Sequence, residues 1–181
     1  RTSYPGLIFE IAMSNQMTDL LRREADIAIR MVRPSQKALI ARKCGDLKLG
    51  LFASPDYLLR HGTPRTLDDL KDHTVIGFDR DTTAARLFSE LGLPIDRAQF
   101  SYRIDNQIAQ LSAIRQGCGI GFCQVGLASR APGLTRLLAK DLEIGLETWI
   151  TMHEDLKGDQ RMRLVFDHLH AAMASYARNG L

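Results

Sequence analysis

The sequence predicts a soluble α/β domain, and three observations carry that reading. Apolar runs such as residues 26–29, 75–78 and 120–123 have the length and composition of short buried strands. Other segments, residues 106–116 and 160–177 above all, place apolar side chains at helical spacing. Finally, the two kinds of segment alternate, and strands separated by helices imply a parallel-type sheet covered on both faces.

In chain order, residues 7–13 read as a strand. Residues 15–24 read as a short helix with Met17, Leu20 and Leu21 on one face. Residues 26–29 form a second strand, followed by a loop with Arg30, Arg33 and Pro34. Residues 39–52 are strand-like, broken near Gly45 and Asp46. Ser54-Pro55 opens a helix, because serine supplies a capping oxygen and proline needs no amide partner in the first turn. Residues 61–64 (His-Gly-Thr-Pro) end it, and Thr66 with Asp69 gives a short box-like helix start. A buried strand at 75–78 precedes a helix at 83–91 that Gly92 and Pro94 stop. After a strand at 100–104, residues 106–116 form an amphipathic helix with Ile108, Leu111 and Ile114 on its apolar face and Gly117 as its end. Strands follow at 120–123 and 147–152. The last helix, 160–177, aligns Met162, Val165, Phe166, Leu169, Met173 and Tyr176 in one stripe.

Composition narrows the function classes. With 181 residues, 45% hydrophobic and 25% charged, the chain can bury a core as one domain or two small lobes. A net charge of +3 lacks the basic concentration expected of a nucleic-acid-binding domain. Apolar runs are too short to span a bilayer, and residues 1–6 lack the apolar stretch of a signal peptide. Cys44, Cys118 and Cys123 cannot all pair, so a reducing cytoplasm is expected, with Cys118 and Cys123 open to either a buried or a redox role. There is no Gly-x-Ser-x-Gly, His-Glu-x-x-His, P-loop or Cys-x-x-Cys motif. Gly117-Cys118-Gly119-Ile120-Gly121 follows a helix and enters a strand, the reverse of a dinucleotide loop. The five histidines lack ligand spacing, and neither a metal nor a cofactor is expected. Pattern alone stops at an α/β domain.

An ordered set of motifs goes further. Residues 25–30 (Ala-Asp-Ile-Ala-Ile-Arg), 39–45 (Leu-Ile-Ala-Arg-Lys-Cys-Gly), 51–58 (Leu-Phe-Ala-Ser-Pro-Asp-Tyr-Leu) and 61–66 (His-Gly-Thr-Pro-Arg-Thr), then Asp69-Leu70 and His73, resemble the effector domain of LysR-type transcription regulators. Residues 114–121, 149–153 and 161–169 resemble that family's later elements, so the likeness covers essentially the whole chain. The resemblance implies a type II periplasmic-binding-protein fold, with two α/β lobes joined by two crossing strands around a ligand cleft. Lobe one is expected at 1–47 plus 148–181, lacking the family's first strand and most of its first helix, and lobe two at 48–147. It further implies a homodimer, with the 106–116 helix at its surface, assembling into tetramers on DNA. DNA would be held only by a winged helix-turn-helix that this chain does not contain.

The same resemblance, with local chemistry, names the candidate ligand-binding residues. Ser14 and Asn15 start a helix, whose free amides favour an anion. Arg30 ends a strand at the cleft edge, and its planar fork suits a carboxylate. Arg80, Asp81 and Thr82 follow the 75–78 strand, Asp105 and Asn106 the 100–104 strand, and Gln124 the 120–123 strand. For Asp105 and Asn106, helix capping is the competing reading. Arg33 and Arg103 read as solvated loop charges or cleft lining. A small, anionic inducer is favoured, although Asp81 and Asp105 would oppose one if they face inward. Two alternatives share the scaffold. A periplasmic solute-binding protein would carry a signal sequence, and an enzyme would need a nucleophile–base pair or paired carboxylates that do not stand out.

Overall fold

The computed structural model describes residues 4–13, 25–34, 36, 38–80, 82–90, 93, 95–130 and 133–179, with residues 82–85 as backbone. Seven strands make one sheet in the order β1-β7-β2-β5-β3-β4, with β6 paired to β2. They are β1 (Ile27–Arg30), β2 (Leu39–Ala53), β3 (Val75–Gly77), β4 (Phe100–Arg103), β5 (Ile120–Gln124), β6 (Thr135–Leu137) and β7 (Ile144–His153). The helices are α1 (Pro55–His61), α2 (Thr82–Glu90), α3 (Gln107–Arg115), α4 (Val125–Arg130) and α5 (Gln160–Asn179).

The sheet is mixed, which corrects the parallel-type expectation. Only β5-β3-β4 is parallel. The β1-β7, β7-β2, β2-β5 and β2-β6 ladders are antiparallel. Periodicity reports which residues are buried and says nothing of strand direction. Here two long strands run the length of the sheet without the crossover helix that parallel neighbours need.

Alternation along β2 feeds both faces of this sheet. Leu51 and Ala53 join Tyr57, Val75, Phe88, Ile120 and Phe122 on one face. Phe52 joins Ile76, Ile114, Cys123 and Ala128 on the other. At the far end of the same two long strands a third cluster forms from Cys44, Ile150, Met152 and Phe166, with Ile27, Ile40, Leu169 and Met173 against it. The β2–β7 pairing therefore continues from one core into another, with a register shift between Lys43 and Gly45. Gly45 has φ +137, and a β-carbon there would lie 2.8 Å from the Ala177 β-carbon on α5, so only glycine allows this approach.

Local signals hold where they were read. Ser54 caps α1, its hydroxyl accepting from the Tyr57 amide at 3.2 Å, with Pro55 in the first turn. Asp69 accepts from the Arg65 and Thr66 amides at 2.7 and 3.1 Å, while its own amide donates to the Thr66 hydroxyl.

Two expected elements differ, and α4 and β6 add to the expected set. Residues 7–13 form no strand: Ile8 and Ile11 are 86% and 85% exposed. An apolar run becomes a strand only where a ladder accepts it, and β1 pairs with β7 alone among the described strands. On α3, Ile114 is buried as expected, but Ile108 is 54% exposed and Gln110 takes the inner face at 3%. The 15–24 helix lies outside the described residues.

Candidate functional site

Because β5, β3 and β4 run parallel, the chain leaves all three at the same edge, the place where open α/β sheets hold ligands. That edge brings together the loop with Asp79 and Arg80, the loop with Asp105 and Asn106, and Gln124 at the β5–α4 junction. The structure thus gathers Arg80, Thr82, Asn106 and Gln124 along one rim, with Thr82 as the first residue of α2. Ser14, Asn15 and Asp81 lie outside the described residues.

Most polar groups on this rim bind one another. The Asp105 carboxylate accepts from the Asp79 amide at 2.8 Å and the Arg80 amide at 3.0 Å. Two backbone donors that could hold an anion are thereby turned to a carboxylate the chain supplies itself. Asp79 accepts a charge-assisted bond from Arg97, whose Nε also donates to the Asp79 carbonyl at 2.9 Å. The Arg80 side chain stands 90% exposed, 3.6 Å from Asp79. Asn106 caps α3, its side-chain oxygen accepting from the Ala109 amide at 3.0 Å. Beneath the rim, the Gln110 amide donates to Ile104 O and, at 3.3 Å, to Gly77 O, fixing the exits of β4 and β3 relative to α3.

Gln124 is held from a distance. The Tyr176 hydroxyl, on α5, donates to Gln124 Oε1 at 2.9 Å, and the Arg130 guanidinium lies 5.1 Å over the Tyr176 ring. Burial pushes the Tyr176 phenol up, against the pull of Arg130, so it remains a donor throughout the neutral range.

Arg30 sits apart from this rim. It ends β1, half-buried, opposite Trp149, which pairs in turn with Lys43 on β2. Gln124 pairs with Leu49, six residues further along β2, on the other side of the Gly45 bulge. Trp149 is enclosed by charge: Arg33 lies 5.7 Å over its ring, and its Nε1 donates to Glu147 at 3.3 Å. Lys43 binds Glu147 and Asp46 at 2.8 and 2.9 Å. The Glu147 and Asp46 carboxylates hold Lys43 above its ordinary range, and Lys43 in turn holds Glu147 below its own. Arg103 is an exposed residue of β4.

Other chemistry finds no centre among the described residues. All three cysteines are free thiols; Cys123 is buried, and burial pushes it up, away from the reactive thiolate form. No group of three or more His, Cys, Asp or Glu is placed to hold a metal. No described helix is long and apolar enough to cross a membrane. Sequence reasoning missed Gln110, Arg97 and Tyr176. A glutamine on the inner face of a short helix was the one signal available in advance, since a buried amide must find partners.

Comparison with known proteins gives the geometry a context. A family model described as the LysR substrate binding domain matches residues 1–174. An HTH-type transcriptional regulator from Xanthomonas campestris pv. campestris (strain 8004) is 33% identical over 99 residues, 54% of this chain and 29% of that protein. The HTH-type transcriptional regulator CrgA of Neisseria meningitidis serogroup C (strain 8013) is 35% identical over 75 residues, 41% of this chain and 25% of CrgA. The alignments thus span little more than a quarter of these relatives' length. Among solved structures, the CrgA regulatory domain from Neisseria meningitidis superposes with a TM-score of 0.76 at 25% identity, covering 88% of this chain and 81% of that one. The effector domain of AmpR of Pseudomonas aeruginosa gives 0.71 at 22% identity, covering 98% and 86%. Both likenesses establish the type II periplasmic-binding-protein fold.

Proposed function

Because this chain belongs to the LysR substrate binding domain family, we propose that it is the effector-sensing part of a LysR-type transcription regulator, holding a small molecule at the rim formed by β5, β3 and β4. The observation that carries this reading is the convergence of three strand exits on one rim, in a sheet whose β2–β7 pair continues into a second core. In this reading lobe one is 1–47 plus 148–181, lobe two is 48–147, and β2 and β7 are the crossing strands. A ligand changes their relative tilt only if it binds one tilt better than the other, which requires contacts from both lobes. Arg30 supplies the lobe-one anchor for a carboxylate, and Ser14 and Asn15 belong to the same lobe's share of the site; Arg80, Thr82, Asn106 and Gln124 supply lobe two. Asp105 already fills the amides of Asp79 and Arg80, which supports placing the anionic end of the effector on the Arg30 side.

The whole regulator dimerises through its effector domains and binds DNA through a helix-turn-helix segment outside this chain, in the cytoplasm. Ile108 on α3, an apolar side chain left 54% exposed, supports the α3 face as the dimer surface. The relatives are transcription regulators, which disfavours both an enzyme and a solute-transport role.

Calorimetric titration of wild type and Arg30→Ala with a panel of small mono- and dicarboxylates tests the anchor. A lost charge-assisted bond is worth about 1.5–3 kcal/mol, or roughly one to two decades in affinity. The variant should keep the wild-type melting profile. Equal affinities in the two proteins would refute Arg30 as the anchor, leaving it a surface partner of a carboxylate such as Asp26.

A further inference from the structure

The C-terminal helix ends in a different neighbourhood from the one it starts in. Phe166, Leu169 and Met173 of α5 pack against Cys44, Ile150 and Met152. One turn later the Tyr176 hydroxyl reaches Gln124, the last residue of β5, under the Arg130 guanidinium of α4. Along this same stretch α5 runs beside the register shift at Lys43 and Gly45: a β-carbon on Gly45 would be 2.8 Å from that of Ala177, the residue after Tyr176. His170 meets the Lys43 carbonyl at 3.1 Å on the way. The helix is a strap laid along the bulge, joined to β7 through its apolar side and to β5 through Tyr176.

We propose that Tyr176 is a positioning residue for the rim: its hydroxyl fixes the Gln124 amide, ties the β5–α4 corner to α5, and decides which end of that amide is offered to a ligand. The polarity follows from the bond in the structure, in which the Tyr176 hydroxyl meets Gln124 Oε1 and not the amide nitrogen. A protonated phenol that donates to Gln124 claims the carbonyl end, so the amide's NH2 end is the one left to face a ligand. The ligand class selected at this position is therefore one with a hydrogen-bond acceptor, such as a carbonyl, carboxylate or phosphoryl oxygen. This selection rests on the effector-site reading above. The Tyr176–Gln124 tie does not, and it can be tested without any ligand.

Amide hydrogen exchange of the ligand-free chain, in wild type, Tyr176→Phe, Gln124→Met, Gln124→Glu and the Tyr176→Phe/Gln124→Met double variant, is the test. Tyr176→Phe should speed exchange in residues 123–130 and 172–179 by roughly three- to tenfold, the scale set by one partly buried hydrogen bond. The β1–β7 ladder should keep its wild-type rate. Gln124→Met should match Tyr176→Phe, the double variant should add nothing further, and Gln124→Glu, which keeps an acceptor oxygen, should stay within about twofold of wild type. Wild-type exchange of both segments in Tyr176→Phe would overturn the proposal, as would single effects that add in the double variant. Should Tyr176→Phe fail to fold, the contrast between Gln124→Met and Gln124→Glu decides the same point: equal exchange in those two overturns it. If the tie holds while no carboxylate titrates, the carboxylate assignment fails alone.

Discussion

Replacing Gln110 with methionine removes a polar clamp from the middle of the domain while nearly preserving its volume. Gln110 is 3% exposed, so the change is felt in the core and not in solvent. Its amide donates to Ile104 O and to Gly77 O, and the Gly77 carbonyl also accepts from the Ile104 amide at 2.9 Å. Gly77 O therefore keeps a partner after the substitution, whereas Ile104 O loses the donor that reaches it from α3. One net hydrogen bond is worth about 1 kcal/mol, and an orphaned buried acceptor costs about 1–3 kcal/mol, so Gln110→Met should lose about 1–3 kcal/mol. For a chain of this size that is a fall of about 2 to 12 °C in melting temperature. Urea unfolding followed by far-UV circular dichroism should show the midpoint fall with an unchanged slope, because the folded state stays as compact as before. A stability within about 0.5 kcal/mol of wild type would refute the clamp, since methionine offers the Ile104 carbonyl no donor.

Two further perturbations probe the backbone and the charges. Gly45→Ala meets both a φ of +137 and the Ala177 β-carbon at 2.8 Å, and should cost about 2–4 kcal/mol. Gly145→Ala, with nothing within 4 Å, should stay within about 0.5 kcal/mol in the same denaturation assay. The Arg65 amide, and then the Thr66 hydroxyl and amide, hold the Asp69 carboxyl below its ordinary range. A depressed folded-state pKa contributes stability above the unfolded value, about 3.9, and that contribution is lost as the pH falls through the folded value. Asp69→Asn should thus differ most from wild type in thermal unfolding above about pH 5, and the two curves should converge on acidification. A difference that grows toward low pH would contradict the sign.

What the sequence disclosed was mainly local. Ser54 was legible as a cap, and Thr66 with Asp69 as a bonded pair, because their partners lie within four residues, so spacing alone reports the bond. The α5 stripe was legible because its buried side, from Phe166 to Met173, follows one helical period. The order of motifs disclosed the family, hence the type II periplasmic-binding-protein fold. Strand direction was not legible, since an apolar run buries equally well in either sense. Residues 7–13 show the limit of composition: their apolar side chains read as a strand, yet strand formation depends on a free ladder edge elsewhere. The rim residues were located better than their duties. Asn106 takes the capping role that competed with ligand binding, whereas Asp105 accepts from the Asp79 and Arg80 amides across the rim, a bond between loops that spacing does not report. The bond that holds Gln124 comes from 52 residues away, and no spacing rule reaches that far.

The pairing of β1 with β7 sets the order in which the chain can be built on the ribosome. Ile27 faces Met152 across that ladder. The early strand must therefore wait while roughly 125 more residues emerge, about 6 to 25 seconds at ordinary synthesis rates. Residues 48–124, by contrast, bring β2's second half, β3, β4 and β5 out in succession, and α1 to α3 with them. That part can collapse around Leu51, Val75 and Ile120 while β1 is still unpaired. The nascent protein passes through a stage with one core formed and a short apolar strand exposed, and closure of the second core is the step that ends its exposure to proteases and to neighbouring chains.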